Sequence, residues 1–154
     1  MKSPKNQQQH KKAKLQALAD EIKCDIDEVY ESDSCAYGLE VYGGGGGRAE
    51  FAIATNEEAN KASESYIKDS IWAFNAPFIL SCCDLPLALR KAIESYQREE
   101  CENANEPLLE LVEKTCGIKK FSEKAISADG RGHFLASYDG QERERNGLFI
   151  YRIG

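Results

Sequence analysis

The stretch from Asp129 to Gly147 restricts the fold of this chain more than any other. It contains two pairs, Asp139-Gly140 and Asn146-Gly147, that tolerate positive φ at consecutive positions, as a tight β-hairpin turn requires. The middle segment, Gln-Glu-Arg-Glu-Arg, has no apolar residue, so it is either a strand exposed on both faces or a charged loop in one wider hairpin. We predict an antiparallel C-terminal meander with strands at 133–138, 141–145 and 148–153.

A second β-rich region surrounds five consecutive glycines, Gly43 to Gly47. Two roughly alternating runs, 37–42 and 50–54, flank them. A glycine run can cradle a phosphate where a strand leads into a helix, but this run joins two predicted strands and lacks the Lys-Ser/Thr of a P-loop. It therefore indicates a flexible loop in an early hairpin.

Helical patterns occupy much of the remaining chain. Apolar residues spaced i, i+3, i+4, i+7 predict an amphipathic helix over 11–23, and a short helical turn is expected over 25–31. Three further helices are predicted: 55–74 after a Thr55–Glu58 capping box, 84–100 with Pro86 in its first turn, and 106–115 before a stop at Gly117. The class is α+β, a small antiparallel sheet (early hairpin plus C-terminal meander) packed against three to four helices.

The length and charge of the chain predict its domain organisation and the kinds of partner that it does not bind. The chain has 154 residues, and we expect one domain over 11–154 after a disordered basic tail at 1–10. Its net charge of −6 argues against direct nucleic-acid binding by the protein as a whole. No apolar run approaches the roughly 20 residues that span a bilayer, and the start of the chain lacks a secretory pattern. No membrane association is expected.

The cysteines do not form a recognisable metal or disulfide pattern. No CxxC occurs, only two histidines are present, and the secretory context that favours disulfides is missing. We expect reduced thiols and predict no metal and no cofactor, a chance gathering of the last four cysteines being the alternative. The six cysteines stand at positions 24, 35, 82, 83, 101 and 116.

The candidate ligand-binding residues lie at the start of the predicted meander. Histidine can move a proton near neutral pH, and arginine can hold a phosphate or carboxylate. On a strand beginning at position 133, alternate side chains share one face, so an anion site is geometrically possible. No nucleophile–base–orienter trio is recognisable, so catalysis is the less favoured interpretation. The alternative to an anion site is a structural role, in which Gly130 and Gly132 allow a tight turn and Arg131 pairs with one of the many acids. The candidates are Arg131, His133, Ser137 and Asp139.

A second candidate surface is acidic. Between positions 99 and 113 the chain has six glutamates and no basic residue, a pattern typical either of a solvated helix face or of a partner surface that imitates nucleic-acid phosphates. The six are Glu99, Glu100, Glu102, Glu106, Glu110 and Glu113.

Several motifs together resemble a group of small accessory proteins of tailed bacteriophages. They are Ala-Leu-Ala-Asp-Glu-Ile (17–22), Thr-Asn-Glu-Glu-Ala (55–59), the run at 66–75, Asp-Gly-Arg-Gly-His-Phe-Leu-Ala-Ser-Tyr-Asp-Gly (129–140) and Phe-Ile-Tyr-Arg (149–152). The resemblance implies an origin, a protein made in the cytoplasm of a bacterial host. It carries no catalytic residues to this chain.

Three functional hypotheses follow. The first is an interaction protein that binds a host or phage macromolecule, such as a host defence system that it inhibits. The second is a phosphate- or nucleotide-binding protein or enzyme that uses Arg131 and His133. The third is DNA binding through 11–31, which has the character of the first half of a helix-turn-helix but an acidic second half that suits phosphates poorly.

Overall fold

The computed structural model describes residues 3–154 and confirms the α+β class. The helices are α1 (Pro4–Ile22), α2 (Asn56–Asp69), α3 (Ala76–Cys82), α4 (Arg90–Glu100), α5 (Asn105–Thr115), α6 (Ile118–Asp129) and α7 (Arg131–Leu135). The strands are β1 (Val29–Ala36), β2 (Leu39–Gly44), β3 (Glu50–Ala54), β4 (Glu142–Arg145) and β5 (Leu148–Arg152). Short 3-10 helices lie at Ile26–Glu28, Ile71–Ala73, Leu87–Leu89 and Cys101–Ala104.

The chain forms two compact units. Unit 1 combines the residues up to Ala62 with Gly130–Gly154, and unit 2 is Ser63–Asp129. The expectation of one domain over 11–154 stays a prediction. Among residues 3–154, no helix is long and apolar enough to cross a membrane.

Unit 1 contains a five-stranded antiparallel sheet in the order β1-β2-β3-β5-β4. The central pairing sets Ala52 opposite Tyr151 and Ile53 opposite Ile150. This pairing joins the N-terminal strands to the C-terminal hairpin, so neither part forms a separate sheet.

Helix α1 covers one face of the sheet. Ala17 and Leu18 on the helix, and Tyr42, Ile53 and Ile150 on the strands, are fully buried in one cluster. Because strand side chains alternate between the two faces and helical side chains recur every three to four residues, these positions meet across a single layer. This layer is one hydrophobic cluster of unit 1.

The early hairpin is confirmed, and one strand was missed. The loop between β2 and β3 falls in the glycine run as predicted. The helical turn expected over 25–31 is only the 3-10 helix at Ile26–Glu28, where the Asp25 amide donates to the Glu28 carboxylate (3.0 Å). The chain then continues into β1, an edge strand in which only Val29 is buried. Such a strand has no apolar alternation to recognise.

The predicted strand at 133–138 is wrong. Arg131–Leu135 is the helix α7, and Phe134, Leu135 and Ala136 are all buried, which a strand with one exposed face does not permit. The Gly140 amide donates to the Ala136 carbonyl (2.7 Å), so the Asp-Gly pair closes a turn after α7 rather than a hairpin. The meander is therefore reduced to a two-stranded hairpin.

That hairpin, β4–β5, is confirmed. Asn146 and Gly147 have φ values of 56° and 77°, which a two-residue turn of the predicted type requires. The charged middle segment is a strand and not a loop. As β4 it forms an edge of the sheet, and charged side chains on an edge oppose pairing with other chains.

The N-terminal helix is longer than predicted. It begins at Pro4, so residues 4–10, expected to be disordered, are helical. Proline suits the first helical turn, and the lysines and glutamines that follow are good helix formers. Residues 1 and 2 of the predicted tail lie outside the described residues.

Unit 2 is helical and has an aromatic centre. The rings of Phe74, Phe78 and Phe121 lie 5.2–5.6 Å apart, with Phe121 edge-on to the other two. The Gln97 amide donates to the carbonyls of Trp72 (3.0 Å) and Phe74 (2.6 Å), which satisfies backbone groups left where the helices stop. These contacts fix the irregular segment between α2 and α3.

Helix boundaries in unit 2 differ from the sequence prediction. The helix expected over 55–74 ends at Asp69, and the one expected over 84–100 begins at Arg90. Helix α6 was missed altogether. The third predicted helix is confirmed as α5, and the Gly117 amide donates to the Val112 carbonyl (2.8 Å), which closes its end.

Gly132 is a position at which only glycine fits. A Cβ atom there would lie 2.6 Å from the Gly140 carbonyl oxygen and 2.7 Å from the Glu142 amide nitrogen. We expect Gly132→Ala to lower the free energy of unfolding by about 1–3 kcal/mol through this overpacking, measured by urea denaturation.

Gly47→Ala is the matched control. Its Cβ would meet only the Ala49 amide nitrogen at 3.9 Å, so its effect should stay within about 0.5 kcal/mol. Equal stability of the two variants would contradict the close approach at Gly132.

Candidate functional site

Arg131 lies at the start of α7 and is almost enclosed, with 9% of its side chain exposed. Its Nε and Nη2 donate to the two carboxylate oxygens of Glu142 at 2.8 and 3.1 Å. The guanidinium also stacks on the Phe149 ring, 4.4 Å from its centroid. A two-pronged pair with a flat stacking surface is the geometry that arginine provides and lysine does not.

The remaining guanidinium nitrogen binds α2. Nη1 donates to the Asn56 carbonyl (3.2 Å), the Asn56 side-chain oxygen (2.8 Å) and the Asn60 side-chain oxygen (3.1 Å). All three nitrogens of Arg131 are therefore engaged by the protein. Arg131 connects α7, β4 and α2, and it is a structural residue rather than an open anion site.

The other three candidates do not join Arg131 in one site. His133 is exposed and, two positions away on a helix, points about 200° from Arg131. Its ring lies edge-on to Phe134 at 5.0 Å. The Ser137 hydroxyl donates to the Ile153 carbonyl (3.2 Å). The shared face expected for these residues depended on a strand that does not form.

Asp139 has a structural role of its own. Its carboxylate accepts hydrogen bonds from the Gln141 amide (3.0 Å) and from Arg143 Nη2 (2.9 Å). Burial acts to raise the pKa of Asp139, but these two bonds outweigh it and hold the pKa below its usual value. The ionised side chain fixes the turn that follows α7.

The acidic residues are exposed as the sequence indicated. We call the set Glu99, Glu100, Glu102, Glu106, Glu110 and Glu113 the acidic surface. Glu110 pairs with Lys114 at 2.7 Å, and Glu99 accepts from the Ser95 hydroxyl at 3.4 Å. Within residues 3–154, the other four form no ion pair. Most of the carboxylates therefore remain uncompensated.

A buried lysine that sequence reasoning missed lies in unit 1. Only 4% of the Lys14 side chain is exposed, and its Nζ lies 3.1 Å from Glu58 Oε2 and 3.4 Å from Glu40 Oε2. The Tyr42 hydroxyl donates to the same Glu40 oxygen (2.5 Å). We call these four residues the Lys14 cluster. Lys14 stands one helical turn before buried Leu18, and that spacing was the available signal.

The carboxylates of the Lys14 cluster stay ionised. Burial acts to raise the pKa of Glu58, but the Thr55 amide and the Lys14 ammonium outweigh it, so the pKa lies below its usual value. The pKa of Glu40 is lowered likewise, because the Tyr42 hydroxyl and Lys14 offset its burial. Burial and then Glu40 raise the pKa of Tyr42, which keeps its hydroxyl protonated as a donor.

The cysteines are free thiols. Cys82 and Cys83 are buried, and burial raises the pKa of both, which suppresses thiolate reactivity. Across residues 3–154, no three histidine, cysteine, aspartate or glutamate side chains are grouped so that they could hold a metal ion. The gathered cysteine set considered from the sequence is not present there.

The chain has no match among protein-family models, curated proteins or solved structures. The resemblance to phage accessory proteins therefore stays a prediction from the sequence motifs.

Replacement of Arg131 by lysine should destabilise unit 1. Lysine keeps the charge but loses the two-pronged bond to Glu142 and the bonds to Asn56 and Asn60. We expect a loss of about 1–2 kcal/mol in the free energy of unfolding, because charge-assisted hydrogen bonds and the stacking on Phe149 are lost while the acceptors stay accessible to water. Chemical denaturation measures it, with exposed Arg48→Lys as the control. A loss no larger than that of the control would show that the arginine network is not structural.

The Lys14 cluster should make stability depend on pH. Since the pKa of Glu58 is lowered on folding, its contribution is present above pH 4–5 and is lost as pH falls through the folded pKa. Glu58→Gln keeps a capping side chain but removes the charge, so it should cost about 1 kcal/mol at pH 7, a small value because Glu58 is part-exposed.

The difference between wild type and Glu58→Gln should shrink as the pH is lowered below about 4. Glu57→Gln, at an exposed neighbouring carboxylate, is the control and should show no such pH-dependent difference. Thermal denaturation from pH 3 to 7 tests this, and a constant difference across that range would contradict it.

Proposed function

We propose that this protein is a bacteriophage accessory protein that acts by binding a macromolecule of the host or the phage through the acidic surface. The partner has a basic face, of the kind that binds nucleic acid. In its specific form, the partner belongs to a host defence system that the protein inhibits in the bacterial cytoplasm. The observation that carries the proposal is the exposed, largely uncompensated row of glutamates.

The geometry of α5 supports this proposal. Four of the glutamates are spaced four, four and three residues apart, so they line one side of the segment formed by the 3-10 helix at Cys101–Ala104 and α5. These are Glu102, Glu106, Glu110 and Glu113. The opposite side carries the buried residues Ala104, Leu108 and Val112. Burial of that side holds the glutamates outward, and a binding surface on a packed helix needs no ordering when a partner arrives.

The negative charge of the acidic surface also supports the proposal that it binds a partner. Among residues 3–154, Glu110 alone of the four forms an ion pair, so the row presents a local negative potential. Complementary charge accelerates encounter and fixes orientation more than it adds affinity. A partner recognised in this way should bind more weakly as salt rises.

The two alternatives receive less support. A phosphate or nucleotide site at Arg131 and His133 lacks its arginine, because the protein itself occupies that guanidinium. DNA binding through 11–31 loses two of the segment's four lysines, since Lys14 is buried between carboxylates and Lys11 pairs with Glu31 at 3.0 Å.

Neutralising the acidic surface should abolish partner binding and leave the fold intact. The variant changes all six glutamates to glutamine, which preserves shape and removes six charges. Affinity capture from infected bacteria at low and high salt, followed by quantification of each captured protein, measures the effect. We expect one or more basic partners with wild type at low salt, and at least tenfold less with the variant.

A charge-matched control separates this surface from net charge. It changes six other exposed acids to their amides and should retain the partner. These are Glu57, Asp69, Asp84, Glu123, Asp129 and Glu144. The proposal fails if wild type captures nothing reproducibly, or if both variants lose the partner equally.

A further inference from the structure

A cavity in unit 1 has no part in the proposed function. It has a volume of about 300 Å³ and lies beside the Lys14 cluster. That size is at the lower end of ligand cavities and equals roughly ten water molecules, so it suits a small molecule. Its lining residues are Gln7, His10, Lys11, Lys14, Glu40 and Glu58.

The lining combines opposite charges from different elements. The four residues from α1 stand at positions 7, 10, 11 and 14, the i, i+3, i+4, i+7 spacing that places them on one helix face. They supply hydrogen-bond donors and two ammonium groups. The other two, Glu40 on β2 and Glu58 on α2, supply carboxylates. The two lysine and two glutamate charges of the lining balance, and Lys11 also pairs with Glu31 outside the lining at 3.0 Å. The cavity therefore presents both signs of charge to a ligand.

Both the lysine side and the glutamate side of the cavity keep unused hydrogen-bonding capacity. An ammonium group has three donors, and within residues 3–154 Lys14 Nζ has two acceptors, Glu40 and Glu58. The bonds that Glu40 accepts from Lys14 and Tyr42 both fall on Oε2, so among the described residues Oε1 stays available. Lys14 is enclosed, whereas about 40% of each glutamate side chain is exposed, so the glutamates are the more accessible part of the lining.

We propose that this cavity binds a small zwitterion of the free α-amino acid class. The ligand carboxylate accepts hydrogen bonds from Lys14 and His10, and its ammonium group donates to Glu40 Oε1. A purely anionic ligand would meet two carboxylates, and a purely cationic one would meet two lysines. A ligand with both charges satisfies each side and leaves no buried charge unpaired.

Isothermal titration calorimetry on the full chain tests this proposal. The probes are glycine, glutamine, glutamate and lysine, each beside its N-acetylated amide, with glucose as an uncharged ligand. We expect saturable binding of at least one free amino acid and at least tenfold weaker binding of its blocked form. No saturable binding up to about 10 mM, or equal binding of the blocked form or glucose, overturns the proposal.

Variants locate the site. Glu40→Gln should weaken binding at least tenfold, since it removes the charge that the ligand ammonium needs. Gln7→Ala is measured beside it, because Gln7 is exposed and has no role in the Lys14 cluster, so we expect this variant to keep the fold. It should weaken binding severalfold. Lys12→Met, at an exposed residue outside the cavity, is the control.

The location is wrong if Glu40→Gln and Gln7→Ala bind as tightly as wild type, or if Lys12→Met loses binding equally. None of these outcomes depends on the acidic surface, so the six-glutamine variant should bind the same amino acid with unchanged affinity.

Discussion

The pairing of β3 with β5 is the interaction on which unit 1 depends. It joins Phe51–Ala54 to Phe149–Arg152, segments that lie on either side of the whole of unit 2 in the sequence. Ile53 and Ile150 face each other in this pair and are fully buried beneath α1. Without the pairing, β3 and β5 would each expose an unpaired edge, and the apolar face of α1 would lose part of its cover.

The first turn of α2 is held by two separate polar groups. Arg131 binds Asn56 and Asn60, and Lys14 binds Glu58, which also closes the capping box with Thr55. Each group centres on an enclosed cation, a costly arrangement unless every donor finds an acceptor. The benefit of such groups is orientation, because hydrogen bonds are directional and these bonds favour one rotation of α2 about its own axis.

The sequence predicted the parts of the fold that local chemistry decides. The Thr55–Glu58 capping box, the Asn146-Gly147 turn and the Gly117 stop depend on residues that lie close together in the chain, and all three are confirmed. The strand predicted at 133–138 failed because burial of Phe134 and Leu135 by distant residues decided the structure there. Strand β1 was missed because its polar residues pair through backbone atoms, which carry no sequence signal.

The candidate functional residues also divide into those whose environment local sequence decides and those whose environment distant residues decide. Exposure of the glutamates at 99–113 could be predicted, since it depends on helix periodicity alone. The engagement of Arg131 could not, because its partners come from α2, β4 and β5.

The separation of β3 from β5 in the sequence also has a consequence for how the chain folds. Contacts between distant segments form slowly, because a long loop must close before they are gained. The helices of unit 2 are built from local contacts and lie inside that loop, so we expect them to form first. Early formation of unit 2 would shorten the effective loop that β5 must close to reach β3. The order of events in folding would then run from the middle of the chain outward, with the sheet completed last.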